Sequence, residues 1–192
     1  MNTTATILLP GDFSTMPWKN GGGITHEIAR EECNGSLLWR LSIAEVASDG
    51  AFSLFPGMTR LLAVIDGNGM RLETSEGTII ASPRAPVRFS GEIPVVGRLV
   101  DGSVRDLNFI FDARGLDASM SCLDGPAAQL LTASGMTAVL CLAGDVLVND
   151  AWLPAGGVAL GKAQQLVLSA ASSVMTITAD VARTLAIAAP SP

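Results

Sequence analysis

The chain has 192 residues, 48% of them apolar and only 16% charged, with a net charge of −6 and no tyrosine. That composition supports a sizeable core in one large or two small domains and excludes a disordered chain. An acidic chain without a basic run is a poor match to nucleic acid or an anionic membrane. With no unbroken 18-residue apolar stretch and no basic-then-apolar leader, the reading is of a soluble, cytoplasmic protein.

Glycine and proline punctuate the chain at short intervals, and helical periodicity is scarce, which predicts an all-β sandwich or barrel. Met16 to Ala29 reads M-P-W-K-N-G-G-G-I-T-H-E-I-A. Pro17 fixes an extended approach, and Gly21, Gly22 and Gly23 supply either a sharp turn or a backbone bared for a ligand. Ile24 to Ile28 is a predicted strand with Thr25 and Glu27 on one face and Ile24, His26 and Ile28 on the other. Leu37 to Val46 follows, placing Arg40, Ser42 and Ala44 opposite Trp39, Leu41 and Ile43. Ser48 to Gly57 is a loop with Phe52 and Phe55 as anchors.

Thr59 to Ile65 is an apolar strand carrying Arg60. Asp66-Gly67-Asn68-Gly69 predicts a hairpin into Met70 to Thr74, followed by Thr78 to Ala81. Val104 to Phe111 sets Asp106, Asn108 and Ile110 against Leu107, Phe109 and Phe111. Ala113 to Pro126, small and polar, is the expected linker. Beyond it come strands at Met136 to Ala143, Val146 to Val148, Val158 to Leu160, Gln165 to Leu168, Val174 to Thr178 and Thr184 to Ala188. The rhythm of Thr59 to Phe89 returns in Thr137 to Leu168, an architectural duplication. Ten of the twelve Lys and Arg lie at or before Arg114, which favours a site for a charged small molecule in the first part; alternatively the charge-poor second part is more buried or covers a subunit interface, as in a homodimer.

A single histidine, His26, cannot build a multi-histidine metal site, and Cys33, Cys122 and Cys141 are too dispersed for a disulfide framework or a CxxC centre. The expectation is therefore no metal and no cofactor. His26 reads as a packed or capped residue. K-N-G-G-G lacks the G-K-[ST] of a phosphate loop and feeds a strand rather than a helix. What remains is a set of polar residues converging on one barrel mouth: Lys19, Asn20, Thr25, Glu27, Arg40, Ser42, Arg60, Asp106 and Asn108. Arg40 and Arg60 suit a carboxylate, and Asn20 and Asn108 an amide or formyl group. The alternative is an internal network in which Arg40, Glu27 and Asp106 seal the barrel.

P-W-K-N-G-G-G-x-T-x-E-I at Pro17 to Ile28 resembles the signature of the HutD/Ves family. W-R-L-S-I-A at Trp39 to Ala44, F-S-x-F-P-G at Phe52 to Gly57 and D-L-N at Asp106 to Asn108 resemble its further blocks, in order. The match covers about the first 115 residues. The chain departs from the family pattern at His26, which is given no family role. The resemblance implies a cupin-like double barrel (a bicupin), here an N-terminal barrel over residues 1–115 carrying the polar site and a C-terminal barrel-like lobe over 116–192. It also implies an association with histidine utilisation, with an acidic intermediate such as urocanate, formiminoglutamate or formylglutamate as ligand. Three functions stay open: a non-enzymatic binder of such a metabolite, a metal-independent enzyme using Glu27 or Asp106 as base and Lys19 as acid, and a protein-binding regulatory module.

Overall fold

The computed structural model describes residues 5–19, 21–33 and 35–182. Asn20 and the expected strand Thr184 to Ala188 lie outside the described residues. Among those described, regular structure is almost wholly strand, with one short 3-10 helix at Pro10–Asp12. In chain order the strands are β1 (Thr6–Leu8), β2 (Ser14–Pro17), β3 (Gly23–Cys33), β4 (Ser36–Val46), β5 (Gly50–Ala51), β6 (Thr59–Asp66), β7 (Met70–Thr74), β8 (Gly77–Ala81) and β9 (Val87–Ser90). They continue with β10 (Val96–Leu99), β11 (Val104–Phe111), β12 (Leu116–Asp124), β13 (Ala127–Ala143), β14 (Val146–Val148), β15 (Ala151–Leu153), β16 (Val158–Leu168) and β17 (Ser173–Val181).

These strands form three open sheets, ordered β2-β3-β4-β11-β6-β9, β5-β10-β7-β8 and β12-β17-β13-β16-β14-β15, with β1 added to the last beside β16. Strand alternation explains how the layers stack. One face of the six-stranded sheet sends Leu41, Ile43, Leu107, Phe109 and Phe111 into a core shared with Met136, Leu140 and Ile177 of the seven-stranded sheet. Its other face sends Ala44, Leu62 and Val64 against Met70 and Leu72 of the four-stranded sheet. A third core, with Val139, Val146, Leu153 and Leu166, fills the seven-stranded sheet itself. Each fully buried Leu, Ile or Phe contributes roughly 1.5–3 kcal/mol, so the six-stranded sheet is held from both sides. Polar residues on its face toward the four-stranded sheet are consequently buried unless a cavity reaches them.

The sequence reading needs correction in three places. Ala113 to Pro126 is not a linker: Leu116–Asp124 is β12, paired along its whole length with β17, and its Leu116, Ala118 and Met120 enter the shared core. Asp66 to Gly69 does not close a hairpin. β6 pairs with β11 and β9, whereas β7 pairs with β10 and β8, so the turn is a corner between two sheets. Positive φ at Gly67 and Gly69, 93° and 94°, turns the chain but does not fix which strand it pairs with next. Finally, β3 runs well past Ile28, with register shifts between Glu27 and Ala29 and between Glu31 and Glu32. Asn149 and Asp150 join the paired strands β14 and β15, and both have positive φ as a type I′ hairpin requires.

Candidate functional site

Cross-strand register brings the polar residues together. Thr25 lies beside Ala44, which pairs with Asp106. Glu27 lies beside Ser42, which pairs with Asn108, and Arg40 and Arg60 flank Ile110 on either side. These three rows share the face turned to the four-stranded sheet. A cavity of about 80 Å³ opens over them, lined by Thr25, Arg40, Ser42, Arg60 and Asn108, with Trp18, Phe52, Phe55 and Ile110 as its apolar walls. It has room for a few waters or for the head group of a small acid.

Five of the nine residues expected at the site therefore line one cavity. Glu27 stands behind it, accepting from Arg40 Nε at 2.6 Å, with the two side chains only 16% and 17% exposed. Asp106 lies beneath the wall, fully buried, and reaches the cavity only through Asn108. Lys19 is exposed and outside the lining, and Asn20 is outside the described residues. Glu27 pairs with Arg40, and Asp106 is linked to Arg60 through Asn108, while both arginines still line the cavity.

Arg60 is the unusual group. It is 5% exposed, and its guanidinium lies over the rings of Phe52, Phe55 and Phe89 at 4.9, 5.8 and 5.2 Å. Its Nη2 donates to Asn108 Oδ1 at 2.7 Å, and Asn108 Nδ2 donates onward to Asp106 Oδ1. Its Nε has no partner among the described residues, nor has Asp106 Oδ2. Burial pulls the Arg60 pKa down to about 10 despite Asp106, with nearby Arg40 a further lowering influence. Burial also pushes Asp106 up to about 7, against the pull of Arg60 and the Asn108 hydrogen bond. Such a carboxyl has no direct route to a substrate, so the geometry gives no support to Asp106 as a base.

The glycine run serves Trp18. Trp18 N–H donates to Gly23 O at 2.9 Å, and Gly21 N–H returns to Trp18 O at 3.0 Å, closing a tight turn with Gly21 at φ 72°. A Cβ on Gly23 would lie 2.4 Å from Glu45 O and 3.0 Å from the indole, so only glycine admits both. The indole Nε1 donates to Thr25 Oγ1 at 2.8 Å, holding the ring as a cavity wall. Gly97 does the same for Phe52: a Cβ there would stand 2.6 Å from the ring. The aromatic walls were legible as the F-S-x-F-P-G block, but a sequence does not reveal that Phe52 and Phe55 fold over Arg60.

His26 lies on the opposite face, between Thr15 Oγ1 at 3.0 Å and Glu45 Oε1 at 3.2 Å. Among the described residues no three His, Cys, Asp or Glu are grouped to hold a metal ion, and no helix is long and apolar enough to cross a membrane.

Residues 11–187 match the HutD family. The chain is 38% identical over 136 residues to an uncharacterised 21.2 kDa protein in the hutC 3′ region of Pseudomonas putida, covering 67% of this chain and 69% of that protein. It is 32% identical over 119 residues to protein Ves of Escherichia fergusonii, covering 59% of this chain and 62% of that protein. Among solved structures, HutD from Pseudomonas fluorescens SBW25 superposes with a TM-score of 0.79 at 31% identity, covering 92% of this chain and 99% of that one. A cupin 2 conserved barrel domain protein from Leptotrichia buccalis superposes with a TM-score of 0.57 at 10% identity, covering 81% and 88%, which makes the fold cupin-like. With a family match over most of its length, this chain belongs to the HutD family.

Proposed function

We propose that this protein is a non-enzymatic binder of a small acidic metabolite, accessory or regulatory to histidine degradation, and that the cavity over Arg40, Ser42, Arg60 and Asn108 is its site. The two halves are taken as cupin-like barrels of a bicupin, with the N-terminal one carrying the ligand. The observation that carries this reading is Arg60, a buried guanidinium that lines an open cavity while its only carboxylate partner is reached through the Asn108 amide. A carboxylate in the cavity gives that guanidinium a charged acceptor, and three aromatic rings hold it in place. The histidine connection is what membership of the HutD family implies. An enzymatic reading is less favoured, because Glu27 is tied to Arg40 and Asp106 is sealed beneath Asn108.

Thermal-shift titration with urocanate, formiminoglutamate and formylglutamate tests it. A ligand specific for the folded chain stabilises it by about 2.7 kcal/mol at a hundred times its Kd, so at least one of these acids is expected to raise the melting temperature in a saturable way. Arg60→Met is expected to abolish that rise. A rise that persists in Arg60→Met moves the site elsewhere, and turnover of a bound acid by metal-free protein replaces the binder with an enzyme.

A further inference from the structure

We infer that carboxylate binding in this cavity is coupled to the uptake of one proton by Asp106, so that the protein takes the anion together with a proton from solvent. The inference rests on the reading of the cavity as a carboxylate site, and it concerns how that site sets its charge.

Geometry supplies the coupling. Arg40 is matched directly by Glu27 at 2.6 Å, which leaves Arg60 without a carboxylate in direct contact. Arg60 is linked to Asp106 through a single amide: Nη2 donates to Asn108 Oδ1 at 2.7 Å, and Asn108 Nδ2 donates to Asp106 Oδ1. With both carboxylates ionised, the four charges cancel, and an arriving anion meets a neutral wall that already neutralises Arg60. With Asp106 protonated on its unpartnered Oδ2, Arg60 is left with a positive charge whose nearest available counterion is the ligand. The anion and the Asp106 charge thus compete for one guanidinium in a site where burial makes an uncompensated charge expensive.

The other groups around Asp106 leave this balance alone. Its own face of the six-stranded sheet offers Arg60 from β6, Arg40 from β4 and Glu27 from β3. The four-stranded sheet packed across that face presents Met70, Leu72 and Ala81, with no ionisable group among them. Glu73 and Asp49 pair with Arg98 instead. Asp106 already sits close to the neutral point, raised there by burial, so a modest change in its surroundings moves its proton.

Isothermal calorimetry with formylglutamate, whose own carboxylates titrate in the usual range of roughly pH 3–5, tests the coupling. Titrations between pH 6 and 8.5 in two buffers of different ionisation heat give the number of protons taken per ligand bound. Near pH 8 that number is expected to approach one, falling toward zero below pH 6, and affinity is expected to weaken about tenfold per pH unit above neutrality. Asp106→Asn keeps the shape and the neutral state, so its binding is expected to be flat with pH and free of proton uptake. Binding by the wild-type protein with no proton uptake at pH 8 overturns this inference and leaves the carboxylate site standing. PH dependence that survives in Asp106→Asn overturns it equally. Absence of binding at every pH removes the carboxylate site and this coupling with it. Should Asp106→Asn fail to fold, the wild-type proton count decides alone.

Discussion

Replacing Asp106 by asparagine is expected to stabilise the protein progressively as pH rises, the opposite of losing an ordinary paired carboxylate. An exposed aspartate titrates near pH 3.9, whereas burial raises Asp106 to about 7. Between those values the folded chain holds a proton that the unfolded chain has released. The unfolded state then binds fewer protons, so unfolding becomes easier with rising pH, by about 1.4 kcal/mol per pH unit. Three such units set a ceiling of roughly 4 kcal/mol, and relaxation around a buried charge brings the expected figure to roughly 2–3 kcal/mol. The asparagine removes this titration. Its amide meets the unpartnered position of Asp106 Oδ2, a cost of about 1–3 kcal/mol that shifts the whole curve without tilting it. Urea unfolding of both proteins at pH 5, 6, 7 and 8 separates offset from slope. Curves that run parallel across that range would falsify the account of Asp106 as a carboxyl held protonated by burial.

Other substitutions test the rest of the site. Arg40→Ala leaves Glu27 with only Arg30 at 3.8 Å, and a loss of about 1–3 kcal/mol in urea unfolding is expected; wild-type stability would show that the pair is ornamental. Arg40→Lys retains the charge but loses the planar fork, so formylglutamate affinity is expected to drop about tenfold or more with little change in stability; unchanged affinity sinks a ligand role for Arg40. Gly97→Ala pushes a methyl to 2.6 Å from Phe52, which must leave Arg60, and costs about 1–3 kcal/mol along with ligand affinity; a folded variant of normal affinity shows the ring to be dispensable. Gly23→Ala collides with backbone at 2.4 Å and is expected to cost more than Gly21→Ala, whose Cβ meets open space and bears only the strain of φ 72°. Equal losses in the two unfolding curves contradict that ordering.

Strand faces were legible because alternation is local. Arg40, Ser42 and Ala44 against Leu41 and Ile43, and Asp106 and Asn108 against Leu107 and Phe109, follow from period two alone. Sheet membership was not. Asp66 to Gly69 has the residues of a hairpin turn, yet β6 and β7 part into different sheets, a choice made by packing on both faces of the six-stranded sheet. β12 was read as a linker because Ser119, Ser121 and Asp117 are polar; they point outward, while Leu116, Ala118 and Met120 alternate into the core. The polar set was legible as types, but its geometry was not. No spacing rule tells that Lys19 points away, or that Phe52 crosses from a loop to lie on Arg60 because Gly97 has no side chain.

The two arginines carry the deeper distinction. Both lie on one face, two strands apart, and a sequence treats them alike. Arg40 meets a carboxylate directly at 2.6 Å in a largely buried pair, so most of its charge is balanced within the wall. Arg60 meets its carboxylate through an amide and is enclosed by aromatic rings, so its charge is balanced at a distance and can be rebalanced by whatever enters the cavity. Burial raises Asp106 and lowers Arg60 at once, and in the proposed binding role the proton on Asp106 and the bound anion then compete for one guanidinium. An anion site built from two closed salt bridges would be inert, and one built from two bare arginines would be costly to bury. One closed pair beside one adjustable pair avoids both faults, and the four sequence blocks, W-K-N-G-G-G, W-R-L-S-I-A, F-S-x-F-P-G and D-L-N, each contribute a residue to the wall of that single cavity.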